Sequence, residues 1–168
     1  MGKIQEISLI GILAAVNIAS RIALQALPNI KPVTSIISVL LFGLAFGIKL
    51  TLVTTLVSNM YLGMGIWTFF QILAWIVICL LTQCMGDFYR RRNKKPSLLV
   101  MAGFSLVMGY VFGLIVSLEQ FVIGGLPLFI VYYSAGLLFD TFHAVGNFFF
   151  YLIGAPLLWK VFKKYRKC

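Results

Sequence analysis

Three ionisable side chains, Arg21, Asp140 and His143, sit within long apolar stretches of this 168-residue chain. A charge at the centre of a bilayer costs about 2.5–3.5 kcal/mol on insertion scales, so each is a candidate for function before it is one for packing. Asp140, His143 and Asn147 recur at i, i+3 and i+7, which places them on one face of a helix. That face offers a carboxylate, an imidazole and an amide to whatever lies opposite. It can hydrogen-bond a bound molecule, or it can supply an acid–base pair. Arg21 stands at a depth matching that of Asp140. The two can therefore form an ion pair locking the first and last apolar segments together, or both can belong to the floor of an outward-facing site. His143 has the same two readings, as an interior hydrogen-bonded residue or as a group that touches a ligand. Tyr132 and Tyr133, at the start of the same helix, fit a membrane interface. With Trp67, Gln71 and Trp75, and with Asn29 and Lys31 from the turn Pro28-Asn29-Ile30-Lys31-Pro32, they can instead form the wall and lid of a small-molecule pocket.

Six apolar segments must position these groups. The first runs from Ile7 to Leu27 and is stopped by Pro28, and the second runs from about Val33 to Ile48, where Lys49 interrupts it. The third, Leu50 to Leu62, is short for a crossing and rich in hydroxyls and amides (Thr51, Thr54, Thr55, Ser58, Asn59), which predicts a polar cavity beside it. The fourth covers Ile66 to Met85 and the fifth Ser97 to Leu118. A loop is expected over Glu119 to Ile130, around Gly124-Gly125-Leu126-Pro127, and the sixth segment then reaches about Trp159. That last segment is longer than the hydrocarbon requires, so it should tilt or project.

The chain is 61% hydrophobic and 11% charged, with mean hydropathy +1.02, well outside the range of a soluble domain. It reads as a single all-α, multi-pass integral membrane domain over 1–168. The net charge of +10 does not point to nucleic acid, because neither basic run carries aromatic residues on a water-facing surface. With the N-terminus inside, 12 of the 14 basic residues fall in cytoplasmic segments and only Lys31 in an outer turn. The positive-inside rule then gives six transmembrane helices with both termini cytoplasmic. Cys79, Cys84 and Cys168 lack metal-ligand spacing and read as packing residues, so no metal or cofactor is expected. Serine-hydrolase, metalloprotease and phosphate-loop motifs are missing, and no chain of carboxylates suggests a proton relay. The expectation is a protein without catalytic activity of its own. A small intramembrane lipid-modifying enzyme using Asp140 and His143, or an assembly factor in which Arg21 and Asp140 pair, are the readings from other classes. Ala15 and Ala19, four apart, allow close helix contact either within the bundle or with a partner.

In layout the chain resembles the substrate-binding (S) components of energy-coupling factor (ECF) vitamin transporters. The likeness rests on its length, the six segments, Ala15-Val16-Asn17-Ile18-Ala19 in the first helix, Pro28-Asn29-Ile30-Lys31-Pro32-Val33 after it, and Leu41-Phe42-Gly43-Leu44-Ala45-Phe46-Gly47 in the second. The resemblance implies an S-component-like bundle in a bacterial cytoplasmic membrane that binds a vitamin at its outer end. Such a subunit associates, through Ala15 and Ala19, with a transmembrane coupling subunit and two ATP-binding subunits. It also implies substrate contacts from the outer turns and the last three helices. The sequence is most similar to the cobalamin-assigned subgroup, with pantothenate, folate or a queuosine precursor as alternatives. Lys31 and Arg21 would suit an anionic substrate, whereas cobalamin would rely on amide hydrogen bonds and apolar contact.

Overall fold

The computed structural model describes residues 2–24 and 28–166, with side chains to residue 162. Among these residues the fold is all-helical. Helix α1 (Lys3–Ala23) buries Leu9, Ile10, Leu13, Ala14 and Asn17, a stripe at helical spacing, and turns Ile12, Ala15, Val16 and Ala19 outward. Helix α2 (Lys31–Phe42) starts where the Asn29 side-chain oxygen accepts from the Lys31 backbone N–H at 3.1 Å and Pro32 stands in the first turn. Nine of its twelve residues are buried, and at about 18 Å it is shorter than a hydrocarbon core. It is the central rod of the bundle.

The second and third segments divide at Gly43, not at Lys49. Gly43 takes φ 92°, ψ 172°, a conformation open only to glycine, and lets the chain reverse at once into α3 (Leu44–Leu62). Lys49 instead lies within α3 and pairs with Glu6 in the first turn of α1 at 2.7 Å. The third helix is thus 19 residues long, about 28 Å, and is not the short one. Gly47 lets α3 lie against α2, since a Cβ there would overlap the Val39 side chain.

Helix α4 (Ile66–Arg91) takes in Arg90 and Arg91, the start of the basic run. The remaining segment, Leu98–Arg166, is helical throughout except at Gly124 (φ −139°, ψ 18°) and Gly125 (φ 70°, ψ −167°). These two residues divide it into α5 (98–123) and α6 (126–166), and Pro127 falls in the first turn of α6. The loop expected over Glu119 to Ile130 shrinks to this glycine pair. Glu119 is therefore a buried residue of α5, and Asp140 is not the sole acid of the apolar helices. The two arms pack antiparallel through small residues. The Tyr110 hydroxyl meets Thr141 Oγ1 at 3.0 Å, and a Cβ on Gly109 would stand 2.8 Å from the Ala144 Cα.

Cross-bundle contacts set the directions. Arg21 reaches Ser58 and Glu6 reaches Lys49, so α1 and α3 run parallel. Lys31 meets Thr55, Asn59 meets Thr68 and Trp75 meets Phe112, so α2/α3, α3/α4 and α4/α5 run antiparallel. Residues Glu6, Gly43, Lys49 and Arg90 thereby share one end of the bundle, and Arg21, Lys31, Asn59 and the Gly124-Gly125 turn share the other. The main core joins α1, α2, α3, α5 and α6 around Ile36, Ile37, Leu50, Ala102 and Tyr151. A second cluster, Trp75, Ile78 and Met108, seals α4 to α5. Helix α1 packs on α2 and α3 and makes no helix contact with α5 or α6. Four helical segments are long and apolar enough to cross a membrane, Lys3–Ala23, Leu44–Leu62, Ile66–Arg91 and Leu98–Phe162, and the chain is read as a multi-pass membrane protein.

Candidate functional site

The site is built on the hydroxyl face of α3. Thr51, Thr54, Thr55, Ser58 and Asn59 form one buried stripe, with Leu50 beside them. Each hydroxyl donates to the carbonyl four residues back: Thr51 to Gly47 at 3.0 Å, Thr54 to Leu50 and Thr55 to Thr51 at 2.7 Å, and Ser58 to Thr54 at 2.6 Å. A hydroxyl whose proton is committed in this way has only lone pairs left to present. The face consequently attracts donors, and the two that reach it are cations.

Lys31 Nζ donates to Thr55 Oγ1 at 2.7 Å and lies 4.3 Å above the Trp75 ring. Lys31 is only 3% exposed, and among the described residues no carboxylate is within ion-pair distance of it. One turn along α3, Arg21 donates to Ser58 Oγ through one terminal nitrogen and to Gln71 Oε1 at 3.4 Å through the other. Gln71 is held in turn by Asn59 Nδ2, which donates to its Oε1 at 2.9 Å and to Thr68 Oγ1 at the same distance. Arg21 and Asp140 do not form the ion pair considered from the sequence. Matched depth says nothing about lateral separation, and α1 and α6 are not neighbours.

Opposite these cations stands α6. Asp140 packs over Gly113 of α5, where any Cβ would overlap its carboxyl group, and accepts no hydrogen bond from the described residues. His143 Nδ1 lies 3.0 Å from the Phe139 carbonyl. A carbonyl only accepts, so Nδ1 carries the hydrogen, and Nε2 is an acceptor when the ring is uncharged. Asn147, 4% exposed, completes the stripe one turn further on.

Between the two walls lies a cavity of about 520 Å³, lined from α1 by Arg21, from the first turn and α2 by Asn29, Lys31 and Pro32, and from α4 by Gln71 and Trp75. Helix α5 contributes Gly109, Phe112, Gly113, Val116 and Ser117, and α6 contributes Tyr132, Ala135, Gly136, Phe139, Asp140, His143 and Asn147. Nine of the eleven pocket residues picked from sequence are among these: Arg21, Asn29, Lys31, Gln71, Trp75, Tyr132, Asp140, His143 and Asn147. Trp67 and Tyr133 are not. Trp67 folds back over Gly65 and is 41% exposed at the surface, and Tyr133 stacks on Phe129 with ring centroids 5.7 Å apart. No residue of the α5 wall was named from the sequence, although Gly109, Gly113 and Ser117 at i, i+4 and i+8 carry a small-residue signature of close helix approach. Asp140 and His143 are joined by no third His, Cys, Asp or Glu that could complete a metal site among the described residues. Ala15 and Ala19 lie away from the cavity, exposed on the outer face of α1. Compared with protein-family models, with curated proteins and with solved structures, the chain matches none.

Proposed function

We propose that this protein is the substrate-binding subunit of an ECF-type importer. It captures a micronutrient from the outer face and delivers it by association with a transmembrane coupling subunit and two ATP-binding subunits. The observation that carries this reading is the convergence of charged, amide and aromatic groups from five helices on one cavity at one end of an apolar bundle. Small-molecule sites have this composition, mostly apolar with a few aimed polar groups.

Orientation supports the same reading. The cavity lies at the end of the bundle remote from Lys49, Arg90 and Arg91. Basic residues favour the cytoplasm, so the cavity end faces out, with six crossings and both ends inside. The break at Gly124-Gly125 supports counting α5 and α6 as two of the six. The exposed Ala15 and Ala19, with nothing within 4 Å of a Cβ placed on Gly11 one turn before them, give α1 a flat outer face for the coupling subunit. A cavity of about 520 Å³ lies mid-range for drug-sized ligands. That volume favours the smaller vitamins over cobalamin, the first assignment from sequence.

The test is co-expression with coupling and ATP-binding subunits, followed by purification on a tag carried by this chain and uptake of labelled vitamins into proteoliposomes. The expected result is a stable complex and ATP-dependent uptake, both lost in Ala15→Trp or Ala19→Trp while ligand binding to the isolated subunit persists. Absence of a complex, or loss of binding together with uptake, would refute the reading of the α1 face.

A further inference from the structure

The cavity has two chemically opposite ends. Its α1/α2 end presents cationic donors, Arg21 and Lys31, held by hydroxyl acceptors and not by carboxylates. Its α6 end presents acceptors, the Asp140 carboxylate and His143 Nε2, with the Asn147 amide beside them. The apolar surfaces of Trp75, Phe112 and Phe139 also line the cavity. Counted formally, with histidine uncharged, two cations against one carboxylate give the cavity lining a charge of +1. Uncompensated charge in a poorly hydrated interior is costly, so the favoured occupant is one that cancels it.

We infer that the ligand is a small organic acid of net charge −1, with its carboxylate between Arg21 and Lys31 and a hydroxyl or amide N–H at its far end directed to Asp140 and His143. This rests on the reading of the cavity as the ligand site. An amino acid zwitterion would leave the positive charge uncancelled. A neutral ligand would leave the same +1 uncancelled, and a dianion would reverse the imbalance. Charge-assisted hydrogen bonds to the carboxylate supply the affinity, and the acceptor end selects among acids by the donors they carry.

Calorimetry on the detergent-solubilised full chain tests this with acids matched to their uncharged counterparts: pantothenate against panthenol, nicotinate against nicotinamide, and biotin against its amide. Cobalamin serves as a bulky comparison ligand. The expected result is that at least one acid binds and its uncharged partner binds about tenfold more weakly or worse. Lys31→Met and Arg21→Gln should each remove that preference. Asp140→Asn should weaken the hydroxyl-bearing pantothenate more than nicotinate, which has no donor at its far end. An uncharged partner binding as tightly as its acid would overturn the inference. So would cobalamin binding that Lys31→Met leaves unchanged, or no acid binding to protein shown by circular dichroism and gel filtration to be folded. The transport reading is judged separately, by complex formation and ATP-dependent uptake. Charge-dependent binding without a complex sinks transport and keeps the ligand class, and a complex that imports an uncharged vitamin does the reverse.

Discussion

Replacing Lys31 by Met separates a residue kept for binding from one kept for folding. An ammonium removed from water carries a penalty of several kcal/mol even after relaxation. Against it stand one hydrogen bond to Thr55, worth about 1.5–3 kcal/mol for a charged donor, and the face of Trp75, worth about 2 kcal/mol when desolvated. No carboxylate closes the difference. Methionine has nearly the same length, needs no partner, and leaves Thr55 still donating to the Thr51 carbonyl. The variant should be more stable by about 1–3 kcal/mol, as when buried charges elsewhere give way to apolar residues. At about 2–4 °C per kcal/mol for a chain of this size, its Tm should rise by several degrees. Thermal scanning of the ligand-free protein in one detergent, wild type beside variant, reads this directly. The same preparation should have lost acid binding. A Tm lowered by more than the equivalent of about 1 kcal/mol would refute the reasoning, because Lys31 would then hold the bundle together and not be a charge kept at a cost to stability.

Three further outcomes follow from the geometry. Gly113→Ala should displace Asp140 and weaken pantothenate binding about tenfold in calorimetry, whereas Gly103→Ala, with open space at its Cβ, should leave binding intact and stabilise α5 by up to about 1 kcal/mol. Gly43→Ala forces a side chain into a glycine-only conformation and should lower stability by about 1–3 kcal/mol in thermal unfolding, with equal unfolding of variant and wild type counting against the tight α2/α3 reversal. In a background without native cysteines, Leu126→Cys should react with an impermeant maleimide on intact cells and Lys94→Cys should not. Reaction of both would break the assignment of the Gly124-Gly125 turn to the outer side.

The α6 stripe was legible because helical periodicity alone aligns positions 140, 143 and 147, and a polar face in an apolar helix must look inward. The polar third segment foretold a cavity beside it, but none of its residues lines the cavity; its hydroxyls instead hold Arg21 and Lys31, which do. The position of the break before it was not legible. Lys49 looks like an interruption by composition, yet it lies within a helix while its ammonium reaches Glu6. Gly43 is one glycine among many in apolar sequence, and nothing local marks it as the residue with positive φ. The partners of Arg21 were hidden for a related reason. Opposite charge suggests Asp140, but an interior arginine is equally served by hydroxyls whose own protons are spent, and only the packing of α1 on α3 shows which is in reach. The loop expected after Leu118 failed because two glycines suffice to reverse a helix that otherwise continues on both sides.

The polar groups of the two cavity walls share no hydrogen bond among the described residues, and the walls join through apolar packing such as Trp75 of α4 on Phe112 of α5. Arg21 and Lys31 are oriented by α3 and α4, Asp140 and His143 by α5 and by α6 itself, and α1 touches neither α5 nor α6. A substitution that re-aims one wall therefore need not disturb the other. Descendants of such a bundle can diverge in what they accept at the far end while keeping a common grip on the acid, and an engineer can alter positions 139, 140 and 143 as a cassette without rebuilding the cationic end.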